Sequence, residues 1–324
     1  MISPIPVVLF AYSRPDHLLQ VLACLRENNV PLIYAFADGP KFPEVSARVK
    51  EVRAILHQVD WSEIHIVEKD RNLGLGTSIL TGVEEVFRKH DAIIVIEDDL
   101  VFVPGTYQYL CAALEYYKDE PGVMSVTGWT HPRLTPGDVK DQPYFDGRTS
   151  SLGWGSWARA WKGMNENANS LMRKCQKKGI DIYKYGADLP VTAWRAQKMN
   201  VWAVRFAYLH ILKGGLCLRP PWSMVQHAGW DSLGTNAIHA GIWADPALKP
   251  CPPIPVHWGV PEENTECAVL WRRRYGEKPT ISRRIVKRAK FIYSDLLRTR
   301  FGTVFSLLVK ISKTFLIKIG CKDG

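Results

Sequence analysis

With 324 residues and 46% apolar content, the chain can bury one large core or two ordinary ones, and global disorder is excluded. Its seven cysteines are odd in number and none shows C-x-x-C spacing, which argues against a disulfide framework or a zinc knuckle and for reduced thiols in the cytoplasm. The net charge of +10 is uneven: residues 270–324 hold 15 Lys/Arg against 3 Asp/Glu, whereas residues 1–269 hold 27 against 29. A nearly neutral body argues against nucleic acid as a partner, and a basic tail points to an anionic surface.

The predicted elements alternate from the start. Ile5–Tyr12 reads as a strand, broken by Ser13-Arg14-Pro15-Asp16, with Pro15 suited to a first helical position. His17–Asn28 places Leu18, Leu19, Val21, Leu22 and Leu25 at helical spacing. A strand over Pro31–Ala37 ends in the turn Asp38-Gly39-Pro40, followed by a helix over Val45–Val59 and a strand over Ile64–Val67. Asn72-Leu73-Gly74-Leu75-Gly76 is a glycine-bearing turn before a helix from Thr77 to Lys89. Next, Ile93-Ile94-Val95-Ile96 runs straight into Glu97-Asp98-Asp99, a strand buried on both faces that ends in three carboxylates. This order predicts an α/β fold with a doubly wound, mostly parallel sheet.

In such sheets ligands bind beyond the carboxyl ends of the strands. Tyr12, Arg14, Asp38, Asn72, Gly74 and the acidic triplet all fall there. Three adjacent carboxylates raise one another's pKa unless something positive sits among them, and oxygen ligands suit Mg2+ or Mn2+. The alternative is a solvated acidic turn. Arg14 is suited to a phosphate or a base, or is plain surface charge; Asp38 is suited to a base or ribose, or is a turn residue. The turn matches neither a Walker loop nor G-x-G-x-x-G.

These stretches resemble a nucleotide-sugar glycosyltransferase of the GT-A fold, and among those the N-acetylglucosaminyltransferase I family and its bacterial relatives. The matching segments are Ile5 to Arg14, Ala37-Asp38, Asn72-Leu73-Gly74, Val95 to Leu100 with Pro104 and Tyr109, Ser125 to Trp129, Leu152-Gly153-Trp154, and Cys217 to Pro220, within residues 5–235. The resemblance implies a donor half over 1–128 and an acceptor and lid half over 129–269 of one domain, ahead of a tail over 270–324. It further implies that Asp99 ligates Mn2+ or Mg2+ on the diphosphate, Asp98 faces the ribose, Glu97 the donor sugar, and Arg14 and Asp38 the uridine. The reaction implied is inverting transfer of a sugar, N-acetylglucosamine among the options, from a UDP-sugar to a glycan or lipid-linked glycan hydroxyl in bacterial surface polysaccharide assembly.

The chain departs from the family where a catalytic Asp follows a Trp: here the pair is Trp202-Ala203. Asp231, opening the loop after an expected strand over Cys217–His227, and Asp188 are the alternative bases, and His227 is a further proton acceptor. A catalytically inactive donor-binding domain and a nucleotidyltransferase are the rival readings; the second lacks a basic, glycine-rich first loop. Eleven of twelve tryptophans lie from Trp129 onward, and Trp129, Trp154 and Trp157 are candidates for stacking on the acceptor. Thr130–Arg148 reads as a connecting loop and Trp230–Ala244 as a lid. In the tail, Phe301, Val304, Phe305, Leu308, Ile311, Phe315 and Ile319 form an apolar stripe beside Arg/Lys clusters, an amphipathic helix suited to the inner face of the cytoplasmic membrane. No apolar run reaches the roughly 18 residues of a spanning helix.

Overall fold

The computed structural model describes residues 4–228, 245 and 247–278. The chain opens β1 (Val7–Ala11), α1 (Pro15–Glu27), β2 (Leu32–Ala37), α2 (Ser46–Leu56), β3 (Glu63–Glu68), α3 (Leu75–Phe87) and β4 (Ala92–Glu97). A short β5 (Leu100–Phe102), α4 (Thr106–Tyr116), β6 (Val123–Thr127), β7 (Tyr144–Asp146), β8 (Trp154–Trp157) and α5 (Ala158–Trp161) follow. Then come α6 (Ala168–Lys177), α7 (Asp188–Met199), α8 (Trp202–Lys213), β9 (Leu216–Arg219), β10 (Val225–His227) and α9 (Glu266–Tyr275).

Eight strands form one sheet in the order β3-β2-β1-β4-β8-β6-β9-β7. Only β8 and β7 run against the others, so the expected α/β, mostly parallel sheet is observed. β1 and β2 are buried at every position, which is why they sit inside the sheet. β3 exposes Glu63, His65 and Glu68 and forms an edge, where charge discourages pairing with another chain. Both halves of the chain share this sheet, and residues through Gly276 form one compact unit.

Two boundaries differ from the sequence reading. The single strand expected over Cys217–His227 is two strands, because Pro220 and Pro221 lack the N–H that a ladder needs. β9 stays in the main sheet, while β10 pairs antiparallel with β5 and sets His227 opposite Leu100. The tail, expected to begin at residue 270, begins later: α9 spans that point, with Leu270 and Trp271 buried. The stripe from Phe301 to Ile319 lies outside the described residues. Among the described residues, no helix is long and apolar enough to cross a membrane.

The second half is tied together by a wholly buried ion pair, Arg219 Nε to Asp146 Oδ2 at 2.7 Å, both side chains 1% exposed. Arg219 also donates to the carbonyls of Trp129 and Arg148, and the Trp271 indole N–H donates to Asp146 at 2.8 Å. β7, β9 and α9 thus meet on one carboxylate. Breaking such a pair costs about 3–5 kcal/mol because it strands the other charge.

His210 is equally buried. Its Nδ1 meets the Phe206 carbonyl at 2.9 Å and therefore carries the proton, so Nε2 accepts from the Ser125 hydroxyl at 2.9 Å. Loss of solvation pushes its pKa down to about 4, below the unfolded value of about 6.5. As pH falls the unfolded chain takes the proton first. Stability is therefore whole above the unfolded pKa and is lost as pH falls toward the folded one, by about 2 kcal/mol near pH 5. The urea midpoint, followed by tryptophan fluorescence, is expected to be lower at pH 5 than at pH 7.5, and His210→Gln is expected to shrink that difference. An unchanged difference in the variant would contradict this account.

Candidate active site at the carboxyl edge

The strand order β3-β2-β1-β4 reverses direction of travel between β1 and β4, the place where open α/β sheets receive ligands. The register Val7↔Ile94 through Phe10↔Glu97 brings the chain after β1 level with the acidic triplet. There the Asp98 N–H donates to the Phe10 carbonyl at 3.0 Å, and the Tyr12 N–H donates to Asp98 Oδ2 at 2.9 Å. Arg14 then spans both aspartates, Nη2 to Asp98 Oδ1 at 2.7 Å and Nη1 to Asp99 Oδ2 at 2.8 Å. Arg14, expected at a phosphate or a base or as surface charge, is here paired with the two aspartates.

One guanidinium faces three carboxylates. Burial works against the Arg14 charge, but Asp98 and Asp99 outweigh it and raise its pKa. Glu97 is pushed up to about 8 by loss of solvation and by the neighbouring Asp99 and Asp98. Burial lifts Asp98 to about 6, with Arg14 pulling the other way. The cluster is short of positive charge, and its donors are hard oxygens, which fits Mg2+ or Mn2+. Among the described residues, no three His, Cys, Asp or Glu side chains converge to enclose a metal.

A neighbour adds a nitrogen. The Ala228 N–H donates to the Asp99 carbonyl at 2.7 Å, which seats His227 beside the triplet. Asp245 accepts from the His227 backbone N–H at 2.9 Å, lies 3.0 Å from its Nδ1, and accepts from the Trp129 indole at 3.0 Å. Burial opposes its charge, yet these bonds from His227 and Trp129 hold its pKa down to about 2. The carboxylate on Nδ1 accepts a hydrogen bond from its proton and so fixes the tautomer of the His227 ring. Asp245 was missed in the sequence, where it stands alone between Ala244 and Pro246 with no motif around it.

Asp38 takes the turn role, one of the two that the sequence allowed. It is 6% exposed, and its carboxylate accepts four bonds: from the Gly39 and Leu73 N–H groups on Oδ1, and from Asn72 Nδ2 and the Gly74 N–H on Oδ2. A carboxylate has about four acceptor positions, so none remains for a uridine. Asp38 instead holds the turn from Asn72 to Gly74 onto the end of β2. Gly74 needs its glycine for a φ of +76°, which caps α3. Gly76 needs its own for packing, because a Cβ there would lie 2.0 Å from the Asn200 carbonyl oxygen.

The acceptor-side candidates divide. Trp154 is fully buried and stacks with Trp161 and Trp202 at 5.6 and 5.4 Å, and Trp157 is 3% exposed, so both are core and offer no face to a sugar. Their apolar area outweighs any ligand role. Trp129 is also buried, and contributes through its bond to Asp245. Asp188 is paired bidentately with Arg148, at 3.0 and 2.7 Å, and lines one cavity with Ala203. Asp231, with the expected lid, lies outside the described residues.

No protein-family pattern matches the chain, and no curated protein does. Its structure is distantly similar to the mannosyltransferase PcManGT from Pyrobaculum calidifontis in complex with GDP-Man and Mn2+, at 14% identity and a TM-score of 0.35 over 48% of this chain and 44% of that one. It is also distantly similar to a UDP-glucose pyrophosphorylase complexed with UDP-glucose, at 12% identity and a TM-score of 0.35 over 68% and 91%. The chain thus spans less than half of the mannosyltransferase.

If Asp38 is the clamp of the turn, Asp38→Ala is expected to cost about 2–4 kcal/mol, the loss of several charge-assisted bonds. Amide exchange at Leu73 and Gly74 is expected to quicken with it. Unchanged protection at those two amides would contradict the assignment.

Proposed function

We propose that the chain is a metal-dependent glycosyltransferase that moves a sugar from a UDP-sugar to a glycan hydroxyl with inversion at the anomeric carbon. The observation that carries this reading is the charge-deficient triplet Glu97-Asp98-Asp99 at the β1/β4 switch point, held in place by Arg14. Asp99, with His227 beside it, would hold Mn2+ or Mg2+. When bound, such a cation stabilises the negative charge that gathers on the departing diphosphate.

The remaining roles belong to the chain itself. Arg14 fixes Asp99 through one oxygen and Asp98 through another, so the triplet is ordered before any ligand arrives. Asp98, locked also by the Tyr12 N–H, would face the ribose, and Glu97 the donor sugar. The turn clamped by Asp38 would present backbone to the nucleotide. Asp188 or Asp231 would take the proton of the attacking hydroxyl. The basic tail would bring the enzyme to an anionic membrane carrying a lipid-linked acceptor, which suits assembly of a bacterial surface polysaccharide.

Ala203, in place of the family's carboxylate, favours a second reading, a domain that binds the donor without turnover.

Release of UDP from a panel of UDP-sugars, followed with Mn2+ present and anionic vesicles carrying lipid-linked glycan, tests the proposal. Chelation is expected to abolish release. Asp99→Asn is expected to lower it by roughly a hundredfold or more, and removal of residues 280–324 to lower only the vesicle-dependent part. Release that persists under chelation would sink the metal assignment, and donor binding without any release would select the second reading.

A further inference from the structure

A second feature lies at the same edge of the sheet. A cavity of about 140 Å³ opens between the segment Arg148–Ser151, the start of α7 and the start of α8. Its lining mixes polar side chains, among them Asp188, Arg148, Ser151 and Thr192, with apolar ones, among them Leu189, Val201 and Ala203. The two charges cancel. The lining is also rigid: Arg148 is stacked over Trp271 and Tyr275, with its carbon 4.3 and 4.7 Å from the ring centres, and it donates to the Tyr185 carbonyl at 2.7 Å.

Among the described residues, Asp188 accepts two bonds, both from Arg148. Of the roughly four acceptor positions on a carboxylate, one on each oxygen is left. This contrasts with Asp38, whose four positions are all taken. Asp188 is therefore an oriented acceptor of hydrogen bonds that still has capacity.

Hydrogen bonds hold the cavity at the carboxyl edge of the sheet. Thr127, the last residue of β6, donates to the Leu152 carbonyl at 2.8 Å, which holds the 148–152 segment at the carboxyl edge. On the far side Asn200, next to Val201, donates to Thr77 at 2.8 Å, and its carbonyl packs on Gly76 beyond the Asn72–Gly74 turn.

The chemistry of the lining narrows the occupant. A phosphate would meet the Asp188 carboxylate without a spare cation. A nucleobase would need an exposed aromatic face, and Phe206, the one aromatic in the lining, is 1% exposed and packs on Trp154 and Trp161. A ring that carries both hydroxyls and C–H faces matches this mixed lining. We infer that this cavity seats one uncharged sugar ring, with its hydroxyls donating to Asp188 and reaching Ser151 and Thr192. The inference deepens the transferase reading by giving that edge a sugar subsite.

The test is saturation-transfer NMR on the full chain with a panel of methyl glycosides of glucose, galactose, mannose and N-acetylglucosamine. At least one glycoside is expected to bind. Ala203→Leu, which fills the apolar part of the lining, is expected to weaken it by roughly tenfold or more. Thr192→Val, which removes one hydroxyl at nearly constant shape, is expected to weaken it several-fold, and both variants should leave Mn2+-dependent UDP binding unchanged. Binding of no glycoside, or equal binding by wild type and Ala203→Leu, would overturn the inference even if UDP binds. Glycoside binding without UDP binding would instead leave the subsite standing and remove the transferase reading. Displacement of the glycoside by UDP-sugar but not by UDP identifies the ring as the donor's; simultaneous binding identifies it as the acceptor's.

Discussion

A single guanidinium set among three carboxylates governs the working edge of this protein. At an effective dielectric of about 20, two unit charges about 4 Å apart interact by about 4 kcal/mol. Arg14 can therefore offset one carboxylate well, and a second in part. Glu97 is the one left over, and burial, with Asp99 and Asp98 adding to it, raises its pKa. Strand register makes this arrangement possible. β1 and β4 pair in parallel from Val7↔Ile94 to Phe10↔Glu97, so Arg14 leaves β1 level with Asp98 and Asp99. A slip in this register would carry Asp98 and Asp99 out of level with the chain leaving β1. The apolar core thereby fixes the geometry of the charges.

The far half of the sheet solves a related problem differently. Asp146 and Arg219 are buried and matched, with the remaining valences of both taken by the Trp271 indole and by backbone groups. Such a pair adds little stability by itself, but it dictates which strands and helices meet. Arg148 follows directly from this knot, pinned through its N–H to Asp146 and through its carbonyl to Arg219. Its side chain in turn orients Asp188. Thus two carboxylates expected to touch ligand take different parts. Asp38 is saturated and builds a turn, whereas Asp188 is half-used and faces a cavity.

Much of the first half was legible in the sequence because β1, β2 and β4 are continuous apolar runs punctuated by Pro15, Gly39 and Gly74. Local pattern and tertiary outcome agree there. The Glu97-Asp98-Asp99 cluster stood out because three acids directly after a buried strand demand compensation. What supplies that compensation could not be read, since Arg14 reaches the acids only through the parallel pairing of strands some 80 residues apart. The second half was less legible for two reasons. Trp154 and Trp157 look the same in sequence whether they bind a sugar or fill a core. The β9–β10 break depends on Pro220-Pro221 sending the chain to a different sheet, which puts His227 and Asp245 beside Asp99 by tertiary contact alone.

Calorimetric titration of UDP into the protein, with and without Mn2+, and repeated on Asp99→Ala, tests the central claim most directly. The account predicts heat of binding that requires Mn2+ and vanishes in the variant, because only a cation seated on Asp99 can carry the diphosphate into a cluster of carboxylates. UDP binding that is equal with and without Mn2+, or that survives Asp99→Ala, or that is absent throughout, would contradict it and leave Arg14 as the only counter-ion the acidic edge needs.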